Sequence, residues 1–438
     1  MVFLKRRFRL LLVFVLTFSS FSLIRAEDAI IKPASCTKPG SLTMWVWDEN
    51  WAKIINKSID VWKEKYCPGA DVKLEVYPWS QYWDTLKTRA ANQDLPDVFN
   101  MSQDRFYFYA SNNALLDLQP YWDAAKVDSK VWGTGMVNPY RWGDNDDLYA
   151  GPVNWDTVVI YYNKDLFDAA KLEYPTPEWT WDDFAKDAEA LTDKSKDIYG
   201  AAVYSEYQSG YPNWIASTGI PPIVGAGRTQ CTLSERQSMG ALKFLKGLYD
   251  KGFMPSVSVM GGAGADDSFN YFKSGKVAMV TNGSWKLPDA LKDLTFNWDV
   301  VQLPKNPDTG RSRSILHSVG YVASSYSKNP DLAANLILYL VSDEGAKFFA
   351  EAGGVAPANP NQALQDIWIN SFDNSKRVNI QAFVDATKDS QGVTVFDEIW
   401  DQINTEIVVN IFDKNMSVEE ATKKTCDFVT TQLPAVKK

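Results

Sequence analysis

The sequence predicts an α/β protein in two domains, on three observations. At 438 residues the chain exceeds the size that one hydrophobic core usually serves. Strand-like and helix-like periodicities alternate along it, as in sheets covered by helical crossovers. One stretch, Ala150–Phe167 (AGPVNWDTVVIYYNKDLF), divides an α/β-patterned segment from a second, larger one. It runs from a glycine–proline pair through Asn154-Trp155-Asp156 into Val158–Asn163, a β-branched and aromatic run that favours a strand. The alternative is an internal strand of a single large α/β domain.

Taken in order, Gly40 is followed by the strand-like SLTMWVW and a polar DEN. Ile55, Ile59, Trp62 and Tyr66 then fall on one face of a helix expected over 52–66, which Cys67-Pro68-Gly69 stops. Val72, Leu74 and Val76 alternate with polar or amphipathic neighbours as a second strand. Strand, helix, strand implies a right-handed crossover into a parallel sheet. A helix over Gln81–Asn92 and a short strand at 95–100 follow. Binding groups in open α/β sheets collect beyond the carboxyl ends of strands, which places Trp47, Asp48, Glu49, Gln103, Asp104 and Arg105 on one edge.

In the second segment, Thr180 with Asp183 and Ser234 with Gln237 read as capping boxes. Gly261–Gly264 lacks the lysine and hydroxyl of a nucleotide loop and reads as a hinge-like loop. A strand at Tyr321–Ser324 precedes a helix opened by Asn329-Pro330-Asp331. Ser417 and Glu420 cap an amphipathic C-terminal helix expected to pack against the body.

Residues 1–26 read as a secretory signal peptide, with Lys5, Arg6, Arg7 and Arg9 before the apolar run Leu10–Phe18. That run is too short for a membrane anchor, and Cys36 in KPASC is a poor lipoprotein-processing site, so a soluble exported product is expected, in the periplasm or the extracellular space. Loss of the five basic groups in this segment takes the net charge from −9 to −14. No basic stripe remains, which excludes nucleic acid as the expected partner. The single histidine, His317, excludes a histidine-built zinc site, and no metal or cofactor is expected. Of three connectivities for four cysteines, Cys36–Cys67 with Cys231–Cys426 is preferred; four free thiols are the alternative. Aromatic residues make up 13% of the chain, with 17 Trp, which suggests a surface that grips something flat and partly apolar, unless the core absorbs them.

The segments PGSLTMWVW, LPDVF with QDRF, DLYAGPVNWDTVVIYYNKDLF, TWDDFAKDAEAL, FKSGKVAMVTNGSW and NPDLAANLILYLVSDEGAKFF resemble, in that order, the extracellular solute-binding proteins of ATP-driven sugar importers. The maltose- and oligosaccharide-binding proteins are the nearest comparison. The resemblance implies two doubly wound α/β lobes joined by a three-segment hinge, with the ligand held in the cleft. Its crossings fall near 155–157, 317–320 and 366–372. Lobe one is then roughly 37–154 plus 321–366, and lobe two roughly 158–316 plus 372–438, with each preferred cysteine pair within one lobe. It also implies a membrane permease as partner, and a monomer.

Sugar faces stack on aromatic rings, and rim hydroxyls need converging donors and acceptors. On lobe one, Asp104-Arg105 resembles the family's hydroxyl-binding pair, and Trp47, Asp48 and Glu49 stand where polar contacts are found. Met101 replaces an aromatic that often precedes that pair. Trp155 and Asp156 sit at the first crossing, and Asp156 matches a sugar-contacting carboxylate. Lobe two offers Tyr211, Trp214, Trp285 and Trp400, and His317 stands near the second crossing. Trp400 could equally lie in the core of an ordinary helix. A secreted carbohydrate-active enzyme using paired carboxylates such as Asp48, Glu49, Asp104 or Asp156 is the rival reading. Another is a binder of peptide, polyamine or uronate oligomer. Polyamine binding would want more carboxylates around the aromatics.

Overall fold

The computed structural model describes residues 31–225, 230–353, 355–372, 377–392 and 400–433. The expected signal peptide lies outside the described residues.

Three parallel strands form first: β1 (Ser41–Val46), β2 (Asp71–Val76) and β3 (Val98–Ser102), with β1 pairing both others. The helices between them are Glu49–Lys65 and Trp79–Ala91, each starting earlier than the apolar periodicity suggested. For the first the reason is Asp48, whose Oδ1 accepts from the backbone N–H of Asn50 and Trp51, both at 2.8 Å, and so caps the helix there. A small hairpin, β4 (Arg141–Trp142) and β5 (Asp147–Leu148), precedes β6 (Gly151–Asn163).

Strand β6 is longer than the expected six residues and is buried along its whole length. Gly151 permits this, since a Cβ there would lie 2.8 Å from the Ile337 side chain of a covering helix. After it come β7 (Tyr199–Ala202), β8 (Val277–Gly283), β9 (Trp298–Val301), β10 (Ser314–Ala323), β11 (Ala356–Pro357) and β12 (Ser390–Gly392). The main path is β2-β1-β3-β10-β6-β8-β7. The first part of β6 pairs β10 and β11, and its second part pairs β8 and β9, all antiparallel. Because β6 serves two sets of strands, the α/β halves share one continuous mixed sheet. Strand β10 also starts earlier than expected, so 317–320 lies inside it. Asp156 pairs with His317 in that ladder, and Trp155 with Ser318.

Helices 330–341 and 343–352 return to pack on helix 49–65 of the first half. Helices 236–250 and 418–432 pack together on the second, and the latter buries Val418, Ala421 and Val429. Both preferred disulfides are present, Cys36–Cys67 and Cys231–Cys426. The Thr180–Asp183 capping box is formed. Ser234 is not a cap: the helix starts at Arg236 with Glu235 before it, because Glu235 N–H closes a turn onto Thr232.

Candidate functional site

A cavity of about 1160 Å³ is lined by residues from both the first and the second half of the chain. Beyond the end of β1, the Asp48 cap directs Trp47 and Trp51 into it, joined by Trp79 from the next helix. The Trp47 ring centroid lies 5.9 Å from that of Trp51 and 5.0 Å from that of Trp79, edge to face in the second case. Trp79 is 44% exposed, a large apolar face left open to the cavity. Facing groups come from the second half: Trp285 and Lys286 after β8, Glu206 and Gln208 after β7, and Asp266 and Asp267.

Strands β6 and β10, which lie between these groups in the sheet, add Asn154, Asp156, His317 and Ser318. The Ser284 hydroxyl donates to Asp156 Oδ1 and the Asn154 amide to Oδ2, each at 2.7 Å. Burial nevertheless pushes the Asp156 carboxyl up to about 6, and these two bonds only offset part of it. Burial likewise pushes Glu206 up to about 7, against the bonds Ser209 gives it. His317 is pushed down to about 4 by the same cause, so its imidazole is neutral. The side-chain amide nitrogens of Gln103 and Gln208 both stand 3.4 Å from His317 Nδ1. Lys286 reaches Asp266 at 2.6 Å and Asp289 at 3.3 Å.

Of the sequence-predicted residues, Trp47, Asp48, Asp156, Trp285 and His317 line this cavity. Asp104 and Arg105 stand behind it: Asp104 accepts from Ser102, pairs with Arg105 at 3.3 Å and is 3% exposed. Glu49 is exposed and is not among the residues that line the cavity. Trp155 packs against Trp368, with ring centroids 5.6 Å apart. Tyr211 and Trp214 are in the core, because their helix Tyr211–Ser217 is buried on every side and Trp214 packs among Trp181, Phe184 and Phe244. Trp400 opens a short helix, and its side chain lies outside what the structure describes. Met101 and Phe106 are fully buried, and the Trp47 group supplies the aromatic surface instead.

Sequence reasoning missed Trp51, Trp79, Glu206 and Lys286. Glu206 had a usable signal, since it follows β7 at a strand's carboxyl end. Among the described residues no cluster of His, Cys, Asp and Glu is placed to hold a metal ion, and no helix is long and apolar enough to cross a membrane.

A family profile described as bacterial extracellular solute-binding protein matches residues 59–373. The chain belongs to that family. This solute-binding protein is 24% identical over 334 residues to a galactooligosaccharide-binding protein of Bacillus subtilis, covering 74% of each chain. It is 24% identical over 367 residues to the maltodextrin-binding protein MdxE of the same organism, covering 82% of each. Among solved structures, an ABC substrate-binding protein from Listeria monocytogenes in complex with cycloalternan superposes with a TM-score of 0.77 at 22% identity, over 91% of this chain and 100% of that one. The fold of the solute-binding protein is therefore that of the sugar-binding members, and its relatives are binding proteins, not enzymes.

Proposed function

We propose that this solute-binding protein holds a sugar, of two or more rings, in the cavity between two lobes and hands it to the permease of an ABC importer. The observation that carries the reading is the cavity lining itself. Trp47, Trp51 and Trp79 on one side and Trp285 on the other supply ring-stacking faces, while Asp156, Glu206 and His317 supply hydroxyl partners. Relatives named for galactooligosaccharide and maltodextrin binding support the same class.

The lobes are those set out above, with boundaries at 37–154 plus 321–366 and 158–316 plus 372–438. Supporting this, each crossing contributes to the lining: Asp156 from the first, His317 and Ser318 from the second, Ser371 and Phe372 from the third. Ligand contacts made only when both lobes close would favour the closed form, and the permease reads that surface. The protein acts outside the cytoplasmic membrane as a soluble monomer after export. The carboxylates Glu49 and Asp104 do not reach the cavity, which weakens the glycosidase alternative.

A thermal-shift screen against mono- and oligosaccharides, followed by analysis of the recovered sugar, tests the reading. Stabilisation by an oligosaccharide returned intact is expected. No stabilisation by any sugar, or cleavage of the one bound, would contradict it.

A further inference from the structure

Asn56, Asn100, Asn282 and Asn415 each stand two residues ahead of a serine, in the Asn-x-Ser pattern of an N-linked glycan acceptor. The fold separates the four. Asn100 and Asn282 lie in β3 and β8 and are wholly buried. Asn56 is exposed, but it sits within the helix Glu49–Lys65, and its partner Ser58 is buried with its hydroxyl bonded to the Gly345 carbonyl. Asn415 stands instead in a loop, 413–417, between the helices 410–412 and 418–432. Its backbone takes a φ of 57°, a left-handed conformation that asparagine adopts more readily than most residues. Asp413, Lys414, Asn415 and Ser417 are all exposed.

The reactive groups of this loop are held but not consumed. Asn415 Oδ1 accepts from Lys246 Nζ at 2.7 Å, a bond that uses the oxygen and neither amide hydrogen. Ser417 Oγ accepts from the Glu420 N–H at 3.2 Å as a helix cap, which uses a lone pair and not the hydroxyl proton. Asp413 places a carboxylate two residues ahead of Asn415, where the other three motifs have Ile54, Val98 and Val280. Its Oδ1 accepts from the Ser258 hydroxyl at 3.0 Å.

We propose that Asn415 is a site of N-glycosylation, with Asp413 and Ser417 as the groups that the glycan transferase reads. The donor is a lipid-pyrophosphate-linked glycan outside the cytoplasmic membrane, where an extracellular solute-binding protein is delivered. Asn415 Nδ2 bonds to C1 of the glycan as the C1–O bond to pyrophosphate breaks. The lipid pyrophosphate leaves with the bonding pair, and one amide proton passes to the transferase. The Ser417 hydroxyl proton offers that enzyme a hydrogen bond, and the Asp413 carboxylate offers a basic side chain a charge-assisted one. The glycosylated amide keeps its carbonyl, so the bond from Lys246 is retained. A glycan is bulky and hydrated and needs a surface position. No residue of 413–417 lines the cavity, so the glycan leaves the sugar site open.

The test is intact-mass and peptide-fragmentation mass spectrometry of the full protein, purified from its own bacterial host. A glycan on the peptide carrying Asn415 is expected in the parent. Asn415→Gln and Asp413→Ala are each expected to lose it completely. Ser417→Thr, which keeps both the cap and the hydroxyl, is expected to retain it. A parent at the bare polypeptide mass, or glycan confined to another asparagine, overturns the proposal, and that measurement needs no variant to fold. Glycan that survives Asp413→Ala or is lost in Ser417→Thr overturns the roles given to those two residues.

Discussion

The ring of Trp285 occupies the space that a side chain on Gly283 would fill: a Cβ built there would come within 1.9 Å of the ring. Gly283 ends β8, and its missing side chain lets the indole fold back on the strand beside His317, whose ring centroid is 6.0 Å away. Gly283→Ala is therefore expected to displace the indole and weaken sugar binding by about 1–3 kcal/mol, as truncating a hot-spot aromatic does. In the Trp285→Ala background the same change should cost little more. Additive losses in calorimetry would show that Gly283 acts on the site by another route.

Glu206 ties stability to pH. Its carboxyl titrates at about 7 in the folded chain, above its ordinary 4.5, because burial disfavours the charge. The folded state thus holds the proton more tightly than the unfolded one. The resulting stabilisation is fully present below pH 4.5 and is lost as pH rises through 7. Glu206→Gln keeps an acceptor for Ser209 and removes the charge. It is expected to leave stability unchanged near pH 4.5 and raise it at pH 8 by on the order of 1–3 kcal/mol, solvent in the cavity reducing the effect. Urea titrations of the sugar-free protein at the two pH values check this; equal gains at both would assign the effect to packing.

The two disulfides close loops of 31 and 195 residues. Cys231→Ser with Cys426→Ser is expected to cost about 2–5 kcal/mol of stability, since the long loop regains freedom when unfolded. Sugar affinity should hold, because neither cysteine lines the cavity. Denaturant titration and calorimetry on the double variant separate these effects, and a loss of affinity in the folded variant would tie this bond to the site.

If the lobes close on the ligand, saturating sugar should lower the radius of gyration in small-angle scattering. Identical curves with and without sugar would speak against closure about the strands that carry Asp156 and His317.

Much of the fold was legible in the sequence because it rests on local signals. The alternation of Val72, Leu74 and Val76, the Thr180–Asp183 box and the order of segments are properties of short windows, and each has its counterpart in the structure. Lengths were harder to read. Strand β6 extends back to Gly151 only because distant helices leave room there. Within the site, aromatic residues could not be sorted into core and lining from sequence. Trp214 and Trp285 both look like stacking platforms, but Trp181 and Phe244, remote in the chain, enclose the first. The Asp48 cap carried a signal that the apolar periodicity passed over: an aspartate directly before the helix is a start signal, and here it accepts from the Trp51 N–H.

The central claim is that a sugar lies between the Trp47 group and Trp285. It is tested most directly by titrating the tightest-binding oligosaccharide into the parent protein, Trp47→Ala and Trp285→Ala. Losses of about 1–3 kcal/mol in both variants are predicted, and equal affinity across all three proteins would contradict it.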